Sequence, residues 1–187
     1  TEGTSESAKA IGIKQAQGKV MGILASDNLL VEDNFLSMMY TITMRHDAAT
    51  TSHYHYHKRY CLMDRYFALI GGNDPLSYWL GKNDRAPHFK EPIPLYYRGT
   101  FPTFGDNGFF IKKNIIMQSN MDHYYHIDNV WDVYNNMTLH DVQYTPFEIA
   151  HLTGEKFINY FKKRYRYGLQ HAFNPCRRWH LVERRDL

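Results

Sequence analysis

Val20-Met21-Gly22-Ile23-Leu24-Ala25-Ser26-Asp27-Asn28 is the stretch on which the reading of this chain turns. Five apolar or small residues, Val20 to Leu24, run without interruption, and after Ala25 and Ser26 comes an acid. That pattern predicts a short buried strand, residues 19–25, whose C-terminal end delivers Asp27 into a turn. Ligands of open α/β sheets bind at such strand ends. A carboxylate there can hold a divalent cation, and a cation can hold a diphosphate. An Asp-Asn pair also makes an ordinary turn, so the flanking segments decide the weight of the signal.

Upstream, residues 5–17 read as a helix, with Ala8, Ile11 and Ala16 near helical spacing, Ser5 as a start and Gly18 as a stop. Helix, glycine, strand and acid make one α/β step of a layered fold. Downstream, a second helix is expected over 33–44, capped by Asp33 and carrying Phe35, Leu36, Met38 and Met39. His53-Tyr54-His55-Tyr56-His57 alternates with period two. The alternation predicts a strand with three His on one face. Such a face is a metal site or, more plainly, a polar strand or loop facing solvent.

Cys61 to Ile70 predicts an apolar helix, and a short helix is expected through Leu80. Pro87, Pro92, Pro94 and Pro102 then argue against regular structure and for a wall or lid. Gly105-Asp106-Asn107-Gly108 is a turn, followed by the apolar Phe109-Phe110-Ile111. Within 123–136, a helix starting near Asp128 puts Asp128 and Asp132 at i, i+4. Ile149 to Thr153 reads as a strand end, and 155–168 as a basic aromatic helix.

Length and composition bound the class. The 187 residues suffice for one domain with a real core, and 43 % are apolar, which fits a globular chain. The 15 Tyr and 11 Phe suit a sugar, base or interface surface and also suit a core. A net charge of +3 does not by itself call for nucleic acid. Two cysteines, Cys61 and Cys176, are too few for a disulfide framework, so a reducing, cytoplasmic setting is expected. No run of about 18 apolar residues occurs, so no membrane-spanning helix is expected.

Four segments, taken in order, resemble family 2 glycosyltransferases of the GT-A fold. SAKAIGIKQAQGKVMGILASDN (7–28) is similar to the family's approach to its Asp-x-Asp motif, and GDNGFFIKK (105–113) to its acceptor-side loop. HIDNVWD (126–132) stands where the family has Glu-Asp, and AHLTG (150–154) where a late His joins the metal. The resemblance implies a partial GT-A, Rossmann-like α/β fold, a mixed sheet flanked by helices. Residues 1–154 would form the C-terminal part of the transferase domain and 155–187 a basic helical tail. The family's N-terminal nucleotide-binding strands, roughly 60–90 residues judged from α/β unit lengths, are expected to precede Thr1.

The implied chemistry is an inverting, metal-assisted transfer of a sugar from a nucleotide-sugar donor to a hydroxyl of a glycan or lipid-linked acceptor, as in glycan or cell-envelope biosynthesis. The resemblance assigns metal binding to Asp27 and His151, with Mn²⁺ slightly favoured over Mg²⁺ by the imidazole. It makes Asp128 the general base. Ser26, Asn28, Gly105, Asp106, Asn107 and Gly108 become donor- or acceptor-binding residues. The plainer alternatives are a tight turn for Asp27-Asn28, a helix cap for Asp128, a structural His151 and a bare hairpin turn for 105–108. Ala25 replaces the first acid of Asp-x-Asp, which suggests an impaired, sugar-binding relative as an alternative function.

The tail carries Lys156, Lys162, Lys163, Arg164 and Arg166 interleaved with Phe157, Ile158, Tyr160, Phe161 and Tyr165. Such a helix lies on an anionic membrane surface or packs its aromatics on the core. A peripheral contact through 155–185 at the cytoplasmic face is one expectation. An adaptor for membrane or nucleic acid, led by this tail, is the remaining functional class, with nucleic acid the less favoured partner.

Overall fold

The structure, a computed structural model, describes residues 11–70, 93–94, 107–118, 141–154, 156–163 and 165. Among them the elements are helix α1 (residues 11–15), β1 (Val20–Ile23), β2 (Asn28–Leu30), α2 (Phe35–Arg45), β3 (Ala48–Tyr54), α3 (Leu62–Ile70), β4 (Ile93–Pro94), β5 (Phe109–Lys112), α4 (Lys113–Ile116), β6 (Val142–His151) and helix α5 (residues 157–163).

The strands form one mixed sheet in the order β1-β5-β3-β6-β2, with β4 also pairing β6. β5 runs antiparallel to both β1 and β3, and β3 runs parallel to β6. Hence β1, β3 and β6 point the same way, and their C-terminal ends lie at one end of the sheet.

The sheet is curled, and chain connectivity shows why. β1 and β2 sit at opposite ends of the five-strand order, yet only residues 24–27 join them. Four strand spacings in a flat sheet measure about 19 Å. Five residue steps span at most about 18 Å when fully extended. The link is far from extended, because the Asn28 amide donates to the Ala25 carbonyl at 3.0 Å and closes a β-turn. Only a curled sheet brings its two ends within reach.

β6 supplies part of the bend. Thr51 pairs with Thr145 and His53 with Glu148, so β6 carries one extra residue there. Pro146 lies in this bulge, where a missing N–H costs no ladder bond. Before the bulge β6 pairs with β4, and after it with β2.

Apolar side chains cover both faces, which is why Phe109, Phe110 and Ile111 are all buried. One face carries Met21, Ile23, Ala48, Phe109, Ile111 and Val142 against Ile13 of α1 and Ile115 and Ile116 of α4. The other carries Ala49, Phe110 and Ile149 against Phe35, Met39 and Ile42 of α2. Phe35 is fully buried, with ring centroids 6.0 Å from Phe110 and 6.3 Å from Phe147. A third cluster joins Met63, Phe67 and Ile70 of α3 to Tyr160 of α5.

The predicted α/β class with a mixed, helix-flanked sheet is the one observed. Details differ. α2 begins at Phe35 with Asn34, not Asp33, as its cap residue, and Ser37 Oγ donates to the Asn34 carbonyl at 2.8 Å. The proline-rich stretch does contain regular structure: Ile93 and Pro94 pair with Tyr144 and Gln143 on the edge of β6. The His53–His57 alternation is not one strand, because β3 stops at Tyr54. His55 Nδ1 instead donates to Glu148 Oε2 at 2.7 Å, and the His57 ring lies 5.6 Å from Tyr60. The His55 ring also lies 6.1 Å from Tyr60, so contacts beyond the strand end, absent from the period itself, hold these two residues.

Candidate site at the strand ends

The tetrad Ala25–Asn28 is a tight turn, and it also presents its acid at the convergence of the sheet's same-facing ends. Asn28 stiffens the turn from within. Its Oδ1 accepts the Ala25 amide at 2.9 Å, and its Nδ2 lies 3.5 Å from Asp27 Oδ1. The Leu152 amide donates to the Asp27 carbonyl at 2.8 Å, tying the turn to the residue just past β6. Ser26 is exposed on the turn.

The register of β2 on β6 pairs Asn28 with His151. That pairing places His151 Nε2 3.2 Å from Asp27 Oδ2. The imidazole is buried, while the carboxylate side chain keeps about a third of its surface open. One partner is therefore held in the protein and the other faces outward. A carboxylate oxygen and an imidazole nitrogen side by side are two of the donor types that divalent cations accept. Among the described residues no group of three or more His, Cys, Asp or Glu is placed to share an ion.

Two further strands complete the corner. Tyr54, at the end of β3, lays its ring against His151, with centroids 5.2 Å apart and planes 30° apart. Asn107 Nδ2 donates to the Tyr54 hydroxyl at 3.0 Å. The chain of contacts thus runs from Asn107 through Tyr54 and His151 to Asp27 and Asn28, drawn from four separate segments.

Gly108 opens β5 beside this corner. Its φ is +69°, a region L side chains rarely adopt, and an added Cβ would sit 2.7 Å from Thr51 Oγ1. The Gly108 amide donates to the Ile23 carbonyl at 3.0 Å, and its carbonyl accepts the Thr51 amide at 3.1 Å. Glycine is needed here to let β1, β3 and β5 close on one another, whatever ligand approaches.

Below His151, Asp64 in the first turn of α3 secures the chain that leaves β6. It accepts the Thr153 amide and hydroxyl and approaches the Gly154 amide. α3 thereby fixes the exit of the strand that carries His151.

Of the residues expected from sequence, the fold brings together Asp27, Asn28, Asn107, Gly108 and His151. Asp128, Gly105 and Asp106 lie outside the described residues. Tyr54 and Asp64 escaped the sequence reading. Tyr54 sat between the histidines that drew attention, and Asp64 looked like one polar residue in an apolar helix. No helix among the described residues is long and apolar enough to cross a membrane. Comparison of the chain with protein-family models, with curated proteins and with solved structures finds no match.

Proposed function

We propose that this chain carries the metal- and diphosphate-facing half of an inverting glycosyl-transfer site. The supporting observation is the Asp27–His151 couple, 3.2 Å apart and built from segments 124 positions apart in sequence. It stands at the C-terminal ends of strands that run in one direction, where α/β sheets bind ligands. Asp27 and His151 are the residues that would hold a divalent cation, Mn²⁺ or Mg²⁺. When bound, such an ion supplies positive charge against the leaving nucleoside diphosphate.

The protein's own groups have separable tasks in this reading. Asn28 and the Leu152 amide orient Asp27, and Tyr54 fixes the plane of His151. Asn107, beside them, faces the sugar, and Gly105, Asp106 and Gly108 are assigned to the same donor or acceptor. Asp128 takes the acceptor proton as general base. The acceptor is a glycan or lipid-linked hydroxyl.

Thermal unfolding of the full chain with UDP or GDP, with and without Mn²⁺, tests the reading. Binding at 100 times Kd adds about 2.7 kcal/mol of stability, so Tm rises when diphosphate and metal are both present. Asp27→Asn and His151→Ala should each erase that rise. Asp128→Asn should keep it while turnover is lost. No rise with either nucleotide sinks the donor-site reading. A rise without turnover in the unaltered protein marks the sugar-binding relative that Ala25 suggests.

A further inference from the structure

We infer that α5 is a docking surface for an anionic lipid bilayer, a role separate from the strand-end site. Tyr160 sets the rotation of the helix. It is buried against α3, with its ring centroid 5.3 Å from Phe67. At about 100° per residue, Phe157, Phe161, Tyr165 and Ile158 then occupy one continuous arc about 100° wide on the outer side. All four are exposed, Phe157 at 62 %, Ile158 at 60 %, Phe161 at 53 % and Tyr165 at 70 %. Phe157 and Phe161 pack edge to face at 4.8 Å, so the arc is a single apolar ridge.

Charge completes the pattern. Lys162 borders the ridge and Lys156 precedes it, both exposed. Nine of the chain's 22 Lys and Arg fall in residues 155–187, with three of its 19 Asp and Glu. The tail is therefore net +6, and residues 1–154, with the remaining 13 bases and 16 acids, are net −3. An apolar ridge flanked by Lys162, on a basic tail of an otherwise acidic chain, matches a surface that is anionic at its headgroups and apolar beneath. Nucleic acid matches less well. Bases stack on open aromatic faces, whereas Phe157 and Phe161 are packed on each other and Ile158 offers no π face.

Flotation of the full chain with phosphatidylcholine vesicles, with and without phosphatidylserine, tests this. Binding is expected to the anionic vesicles and to fall as added salt shortens the screening length. The double variant F157S/F161S should lower vesicle affinity by roughly tenfold or more, since both rings are exposed and insert into the acyl boundary. Lys156→Gln with Lys162→Gln should cost about fivefold per charge. If the serine variant loses Tm, the lysine variant carries the test. No flotation with phosphatidylserine overturns the inference, as does flotation that neither variant weakens. Capture by single-stranded RNA in place of vesicles overturns it in favour of nucleic acid.

Discussion

Asp64 and Thr153 are 89 residues apart in sequence and joined twice in the fold: Asp64 Oδ1 accepts the Thr153 amide at 3.0 Å and the Thr153 hydroxyl at 2.7 Å. The acid is buried and sits in the first turn of α3, where a carboxylate also suits the helix dipole. Asp64→Ala should cost about 1.5–3 kcal/mol, because it removes the charged acceptor that holds the half-buried Thr153 and approaches the Gly154 amide. Chemical denaturation measures this directly. Thr153→Val should cost less, about 1–2 kcal/mol, since only the hydroxyl bond is lost while Asp64 keeps its amide donor. Equal costs would show that the hydroxyl bond alone carries the clamp.

Gly108→Ala should destabilise by about 1–3 kcal/mol through its positive φ and the collision with Thr51. Adding Thr51→Ala relieves the collision but not the backbone strain. The double variant should therefore recover part of the loss and no more. Full recovery, read from denaturant midpoints, would show that the left-handed backbone contributes nothing.

Tyr54→Phe keeps the ring against His151 and removes the acceptor of Asn107 Nδ2. It should cost about 1 kcal/mol and leave metal-dependent diphosphate stabilisation nearly intact. Tyr54→Leu removes the stacked ring as well and should reduce that stabilisation. A positioning role predicts this split in Mn²⁺ affinity, whereas a merely structural role predicts equal Mn²⁺ affinity in both variants.

Asp141 titrates below its ordinary range. Partial burial pushes it up, but hydrogen bonds from His46 and Gln143 and the charges of His46 and Lys112 outweigh that and hold it down. A depressed carboxyl contributes stability above its unfolded pKa of about 3.9. That contribution fades as pH falls through the folded value. Asp141→Asn should thus lower stability at pH 7 by under about 1 kcal/mol, since the side chain is nearly half exposed. It should also shrink the acid limb of the pH–stability curve below about pH 4. An unchanged acid limb would locate that dependence elsewhere.

The local elements were legible because each rests on contacts close in sequence. The uninterrupted run at 20–24 needs no partner to be read as a buried strand, and the Cys61–Ile70 stretch has helical period. The strand before Asp27 and the strand end at His151 were read the same way, whereas Phe109–Ile111 suited a strand or a helix start until pairing made it β5.

The meeting of these segments was decided only by tertiary structure. Asp27 and His151 touch because a β-turn joins opposite ends of a curled sheet and because Pro146 bends β6 through a bulge. Curl and register are properties of paired strands, so a single strand's pattern does not contain them. The same physics accounts for the misread histidines. His53, His55 and His57 share a period, but β3 ends at Tyr54; beyond it His55 pairs with Glu148, and the His55 and His57 rings both lie beside Tyr60. The sequence alone determined which residues could carry chemistry here. Packing decided that Tyr54, read only as a spacer between histidines, stands against His151.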